Sequence, residues 1–152
     1  MEEFKNILYP IALTDISPKI VPYLVTMAKQ LDAQVHLLHE LRRFDWFVNT
    51  YVSEPPQPDF KRIASDFESQ VLEQAQQKLA AFQKKYLKDV QIVKASVVSG
   101  TNYKRIIEYV NTEGIDLIIM GTGTTVQKVM FGAVAEKVSR LAPVPVMLVK
   151  GN

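Results

Sequence analysis

The sequence predicts an α/β domain built on one five-stranded parallel sheet with helices on both faces. Three observations carry this. Short apolar runs alternate with stretches of helical periodicity in the order β-α-β-α-β-α-β-α-β. Most of the runs are apolar on consecutive residues, as in central strands covered on both sides. The chain has 152 residues, which suits a single domain over residues 1–152 with one sizeable core. Strands that alternate with helices pair in parallel through right-handed crossovers, which makes the sheet doubly wound.

The elements follow in order. Ile7 to Leu13 reads as a buried strand. From Ser17, a candidate N-cap, Ile20, Leu24, Met27 and Leu31 fall three and four apart, one face of a helix. Pro22 sits early in it and should loosen its first turn. Val35 to Leu41 is the second strand, and residues 42–58 read as a loop broken by Pro55, Pro56 and Pro58. Phe60, Phe67, Val71, Ala75, Leu79, Phe82 and Tyr86 then form one stripe on a long helix, predicted to be core. Val90 to Val97 alternates like a strand near a sheet edge. Ile106, Ile107 and Val110 mark a helix that Gly114 closes as a C-cap. Leu117 to Met120 is a fully apolar strand, followed by a Gly/Thr loop, a helix from about Gly132 to Leu141, and a last strand from Val144 to Val149.

Composition removes several classes of function. Hydrophobic residues make up 47% and charged residues 22%, so neither a disordered chain nor a coiled coil fits. Eighteen basic residues against sixteen acidic ones leave +2, too little to expect nucleic acid or an anionic membrane as partner. There is no cysteine, which excludes disulfides, thiolate metal sites and a cysteine nucleophile. The two histidines, His36 and His39, stand three apart on a strand and so point to opposite faces, unable to share a metal. The start, Met1-Glu2-Glu3-Phe4-Lys5, lacks the pattern of a signal peptide, and no apolar run reaches the eighteen or so residues of a membrane span. A cytoplasmic protein without a membrane partner is expected.

In doubly wound sheets ligands bind at the carboxyl ends of the strands, where strand order reverses. The segment Met120-Gly121-Thr122-Gly123-Thr124-Thr125 joins an apolar strand to a helix. Glycines there would let backbone N–H groups approach a phosphate, with the helix N-terminus adding partial positive charge. It is neither a P-loop nor the dinucleotide GxGxxG, and a tight turn with hydroxyl flanks is the competing reading.

The segment from Gly132 to Val149, GAVAEKVSRLAPVPVMLV, resembles the C-terminal signature of the universal stress protein family. Ile7-Leu8-Tyr9-Pro10 with Thr14 at the head of a helix, Leu37-Leu38-His39, Gly100 before the Tyr103–Val110 helix, and Asp116 to Gly121 resemble its other parts in order. The resemblance implies a Rossmann-like, adenine-nucleotide alpha hydrolase-like sheet in the order 3-2-1-4-5, usually as a homodimer. Many members bind ATP and others do not. In those that bind it, an aspartate two residues after the first-strand proline contacts the adenosine. A loop of the form Gly-two-Gly-nine-Gly-Ser/Thr wraps the phosphates.

This chain departs at both places. Two residues after Pro10 stands Ala12, and Asp15, three further on, is no obvious substitute. The loop has one residue between Gly121 and Gly123 and eight before Gly132, and Ala133 replaces the closing hydroxyl. Met120, Gly121, Gly132 and the amide of Val134 still match, and Glu40 takes the second-strand position whose backbone contacts the base in binding members. Thr122, Thr124, Thr125 and Lys128 could replace part of what is lost, Lys128 as a point charge. A hydrogen bond to a charged group is worth roughly 1.5–3 kcal/mol, so the missing aspartate alone costs about 10- to 150-fold. The expectation is a regulatory module whose nucleotide pocket binds ATP or another adenine nucleotide weakly or not at all, with no metal required. Without a carboxylate pair or activated nucleophile, a slow ATP hydrolase is the least favoured reading. A ligand-independent dimeric interaction protein is the alternative.

Phe44, Trp46, Phe47 and Tyr51 cluster after the second strand, either as a lid or partner patch or packed on the protein's own helices. Arg42-Arg43 reads as a solvated pair, His39 as a hydrogen-bonded core residue and Asp116 as structural. The last strand should be a sheet edge that pairs with the same strand of a second subunit through Val146, Met147, Leu148 and Val149.

Overall fold

The structure, a computed structural model, describes residues 3–13, 17–41, 58–99, 103–122 and 128–150. Nine elements follow one another: β1 (Asn6–Pro10), α1 (Ser17–Leu31), β2 (Gln34–Leu41), α2 (Pro58–Tyr86), β3 (Ile92–Ser99), α3 (Tyr103–Glu113), β4 (Leu117–Thr122), α4 (Lys128–Leu141) and β5 (Val146–Lys150). The strands form one parallel sheet in the order β3-β2-β1-β4-β5. The architecture and the strand order expected from the sequence are both observed.

Alternation along the strands builds two cores. Ile7 and Tyr9 of β1 join Leu24 of α1, Leu79 and Phe82 of α2, Leu37 and Ile119 on one face. Leu8 joins Ile106 and Val110 of α3, Val138 of α4, Leu38 and Ile118 on the other. The consecutive apolar residues of β1, β2 and β4 each serve one face in turn, which is why these strands carry no polar alternation. β3, at the edge, is less covered, with Val93, Lys94 and Ala95 all exposed.

Several boundaries differ from the sequence reading. β1 stops at Pro10 rather than Leu13, because Pro10 has no N–H to offer β4 and Leu13 has a left-handed backbone, φ 57°. β4 runs on through Gly121 and Thr122, which were expected in the Gly/Thr loop but pair with Val149 and Lys150. β5 starts at Val146 because Pro145 offers only its carbonyl, which accepts from Ile118 N–H at 3.0 Å. Pro58, expected in the loop, opens α2, where its missing N–H costs nothing. α4 begins at Lys128, four residues before Gly132.

α2 departs from its predicted role as continuous core. Ala75, Leu79 and Phe82 are buried, but Phe67 is 41% exposed. A helix of 29 residues is about 43 Å long, whereas a strand of eight residues such as β2 spans about 26 Å. The helix outruns the sheet it packs on, and Phe67 lies beyond the core. α1 remains continuous through exposed Pro22, whose missing N–H falls opposite Pro18 in the first turn. Gly114 caps α3 with φ +64°, as expected.

Candidate functional site

The order β3-β2-β1-β4-β5 reverses between β1 and β4, so the crevice at their carboxyl ends is the place where such a sheet takes a ligand. The chain opens it by a local device. Along β1, Asn6 faces β4, its carbonyl accepting from Asp116 N–H at 2.8 Å, whereas Ile11 faces β2, donating to the Leu38 carbonyl at 2.9 Å. Alternation puts Pro10 on the side of Asn6, and Pro10 has no N–H to donate toward β4. The β1–β4 pairs are Ile7↔Leu117 and Leu8↔Ile118. The β1–β2 register, by contrast, runs to Pro10↔Leu38. The two central strands part there, between Pro10 and the Met120-Gly121-Thr122 end of β4.

The expected residues divide into four groups. Pro10, Ala12, Glu40, Gly121 and Thr122 end up at the carboxyl side of neighbouring strands, partly exposed. Met120 is 3% exposed in the core under α3 and α4, and Val134 packs against the same cluster, so their side chains are spent on packing. Gly132, Ala133 and Val134 lie past the first turn of α4. That corrects the expectation that their amides are free donors: in a regular α-helix N–H groups beyond the first four bond to carbonyls four residues back. The free donors of this helix belong to the turn beginning at Lys128. Thr14, Asp15, Gly100, Gly123, Thr124, Thr125 and the segment with Arg42, Arg43, Phe44, Trp46, Phe47 and Tyr51 lie outside the described residues.

The two histidines face opposite sides of the sheet, as expected. His39, near the end of β2, has its Nδ1 2.7 Å from the Ile11 carbonyl. A carbonyl only accepts, so Nδ1 carries the proton and donates. Burial holds the ring below the ordinary histidine range, the bond to Ile11 opposes this, and the charge of Lys78 adds to it. His36 lies on the other face, 4% exposed. Its Nε2 is 3.2 Å from Asn6 Oδ1, which also accepts from Gln34 Nε2 at 2.6 Å, and its Nδ1 is 3.0 Å from the Tyr109 hydroxyl. Asp116 is structural, its Oδ2 accepting the N–H groups of Lys5 and Asn6 at 2.9 and 2.8 Å.

Two features of this end of the sheet escaped the sequence reading. The turn after β1 contains a left-handed leucine, for which leucine gives no signal. A histidine on the neighbouring strand ties that turn down, and only the strand register puts the two together. A groove of about 550 Å³ lies elsewhere, lined by Tyr103, Ile107, Asn111 and Leu141 on α3 and the end of α4. No group of three or more histidine, aspartate or glutamate side chains suited to a metal occurs among the described residues. No described helix is long and apolar enough to cross a membrane.

The sequence model of the Universal stress protein family matches residues 3–150. The chain belongs to the universal stress protein family. A relative from Methanocaldococcus jannaschii, universal stress protein MJ0531, is 26% identical over 150 residues, covering 97% of this chain and 82% of its own. Universal stress protein MJ0577 of the same organism is also 26% identical, with 97% and 95% covered. The solved structure of MJ0577 superposes with a TM-score of 0.76 at 20% identity over 98% of this chain and 97% of that one. A universal stress protein from Archaeoglobus fulgidus in complex with dAMP gives 0.61 at 14% identity, covering 99% and 100%. Another, in complex with cAMP, gives 0.59 at 16%, with the same coverage. These likenesses establish the adenine-nucleotide alpha hydrolase-like fold shared by universal stress proteins.

Proposed function

We propose that this universal stress protein is a stress-response regulatory module that takes an adenine nucleotide weakly in the crevice between β1 and β4. The observation that carries the reading is the parting of the two central strands after Leu8 and Ile118, at the point where strand order reverses. Two structural neighbours have been solved with cAMP and with dAMP, which supports the ligand class. The ligand would lie along the Pro10–Leu13 turn and the Gly121–Thr122 strand end, with Glu40 flanking the base and Lys128 and the first amides of α4 toward the phosphates. The segment from Gly123 to Thr124 would complete the loop.

Binding is weak because Ala12 has no acceptor and Ala133 no hydroxyl, and because Gly132 to Val134 spend their amides inside α4. The protein acts as a binding module rather than an enzyme, needs no metal, and forms a homodimer through β5. Calorimetric titration with AMP, ADP and ATP tests this. A dissociation constant on the order of 0.1 mM or higher is expected. The double variant Ala12→Asp with Ala133→Ser should bind more tightly. Low-micromolar binding by the unmodified protein overturns the weak-site reading. No binding by either protein favours the ligand-independent dimeric interaction protein. Release of phosphate from ATP above the background rate would move the reading to a slow hydrolase.

A further inference from the structure

Just outside the sheet, the backbone from Ile11 to Leu13 turns through the mouth of the crevice. It makes one sheet-like bond, Ile11 N–H to the Leu38 carbonyl at 2.9 Å, and then leaves the ladder. Two residues on, Leu13 adopts φ 57°. For an L-residue with a side chain that conformation costs about 1–2 kcal/mol, and it persists only where the surroundings over-determine it. Downstream, the Leu13 side chain packs on the core shared with α1 and α2. Upstream, the Ile11 carbonyl is taken by His39 Nδ1 at 2.7 Å. Ala12 is held between these two anchors.

We propose that His39 is the positioning residue of the nucleotide crevice, fixing the Ile11–Leu13 turn so that its backbone meets the ligand in a set direction. This rests on the functional reading above and adds to it the residue that prepares the site. With alanine at position 12, the turn has no side-chain acceptor to offer a nucleotide, only its own peptide groups. Peptide groups contribute to affinity when their direction is fixed before the ligand arrives. His39 does this from the α2 side of the sheet, where the charge of Lys78 reaches its ring. The bond does not depend on the ring's charge, since Nδ1 bears hydrogen in the neutral tautomer that a carbonyl partner requires and in the protonated ring alike. A role in acid–base chemistry is not available to that nitrogen, which is committed to the turn.

The test compares the unmodified protein with His39→Asn and His39→Leu. The asparagine amide reaches the position of Nδ1 and can donate to Ile11, whereas leucine fills the space and leaves the carbonyl without a donor. Each protein is titrated with AMP by NMR, and hydrogen exchange is measured at the amides of Ala12 and Leu13. His39→Leu should weaken AMP binding by about tenfold, the worth of one ordinary hydrogen bond. It should also speed exchange at Ala12 and Leu13 above the rest of the sheet, and His39→Asn should restore both. Unchanged affinity and exchange in His39→Leu overturn the proposal. Exchange raised evenly through the molecule, without rescue by asparagine, also overturns it and leaves a core residue only. If the unmodified protein binds no AMP while the local exchange still responds and is rescued, the nucleotide reading fails, and the hold of His39 on the turn stands without a ligand.

Discussion

His36 shows how much a single buried side chain can carry that the sequence around it does not announce. It sits under α3 with Asn6 of β1, Gln34 of β2 and Tyr109 of α3 as polar company. Lys94 on β3, paired to Glu113 at 2.6 Å, completes its charged surroundings. Burial lowers its proton affinity, Glu113 raises it and Lys94 lowers it again, for a net shift below the usual histidine range. His39 is shifted the same way. Both folded values therefore lie below the unfolded value of about 6.5. Under that linkage the unfolded chain binds more protons as pH falls below about 6.5, so stability is full above it and declines below it until the folded rings titrate. Urea unfolding midpoints should hold steady at alkaline pH and fall between about pH 6.5 and 5, and His36→Gln should flatten part of that slope. A midpoint that rises on acidification would contradict the sign of both shifts. Asp116 gives a second prediction. Asp116→Ala deprives the amides of Lys5 and Asn6 of a charged acceptor, and denaturant melts should show a loss of about 1–3 kcal/mol. None of these partners is near its neighbour in sequence: Asn6 and His36 are 30 residues apart, His36 and Tyr109 are 73 apart. A pattern along the chain cannot show such pairs; only the strand register and the helix above it bring them together.

At the level of elements, the sequence was most informative where burial dictates composition and least where a neighbour decides. The existence and type of the nine elements among the described residues were readable, because a strand covered on two faces and a helix covered on one leave different apolar spacings. Their ends were not. β4 gains Gly121 and Thr122 because β5 is there to pair with them, and β5 begins late because Pro145 can only accept. Proline signalled a break at position 58 when it was in fact the first residue of α2, the one helical position that needs no N–H. The left-handed glycine at the end of α3 was readable, since glycine is the residue that takes that conformation without strain. A methyl group at Gly114 would meet nothing within 4 Å. The cost of Gly114→Ala is therefore purely conformational, and thermal or urea melts should show a loss of about 1 kcal/mol. Gly114→Asn should cost less, as asparagine tolerates this region. Equal losses for the two would point to something other than backbone conformation at this cap.

The whole molecule has two sheet edges, β3 and β5, and they are unlike. β3 exposes Val93 beside Lys94, the kind of charge that discourages pairing. β5 runs VMLVK and exposes Leu148 by 43%, with Val146 and Met147 half-buried. Val149, expected at an interface, is 4% exposed inside its own subunit and has only its backbone to offer. Pairing β5 with its counterpart in a second copy would satisfy the open edge and cover Leu148 on both subunits at once. Each side chain so covered contributes roughly 1.5 kcal/mol or more, so losing both costs about 3 kcal/mol and loosens a dimer by about 150-fold. Leu148→Lys should lose at least that much and add like charges facing each other across the two-fold axis. Sedimentation velocity at micromolar concentration should show a dimer for the unmodified protein and a monomer for the variant, with the same circular dichroism spectrum. Because β5 lies on the side of β4 away from β1, and the crevice opens between β1 and β4, the monomer should bind AMP as the dimer does. A variant that remains dimeric would move the interface away from β5. The exposed groove of Tyr103, Ile107 and Leu141 would then be the next face to test, by substituting Leu141, which is 49% exposed.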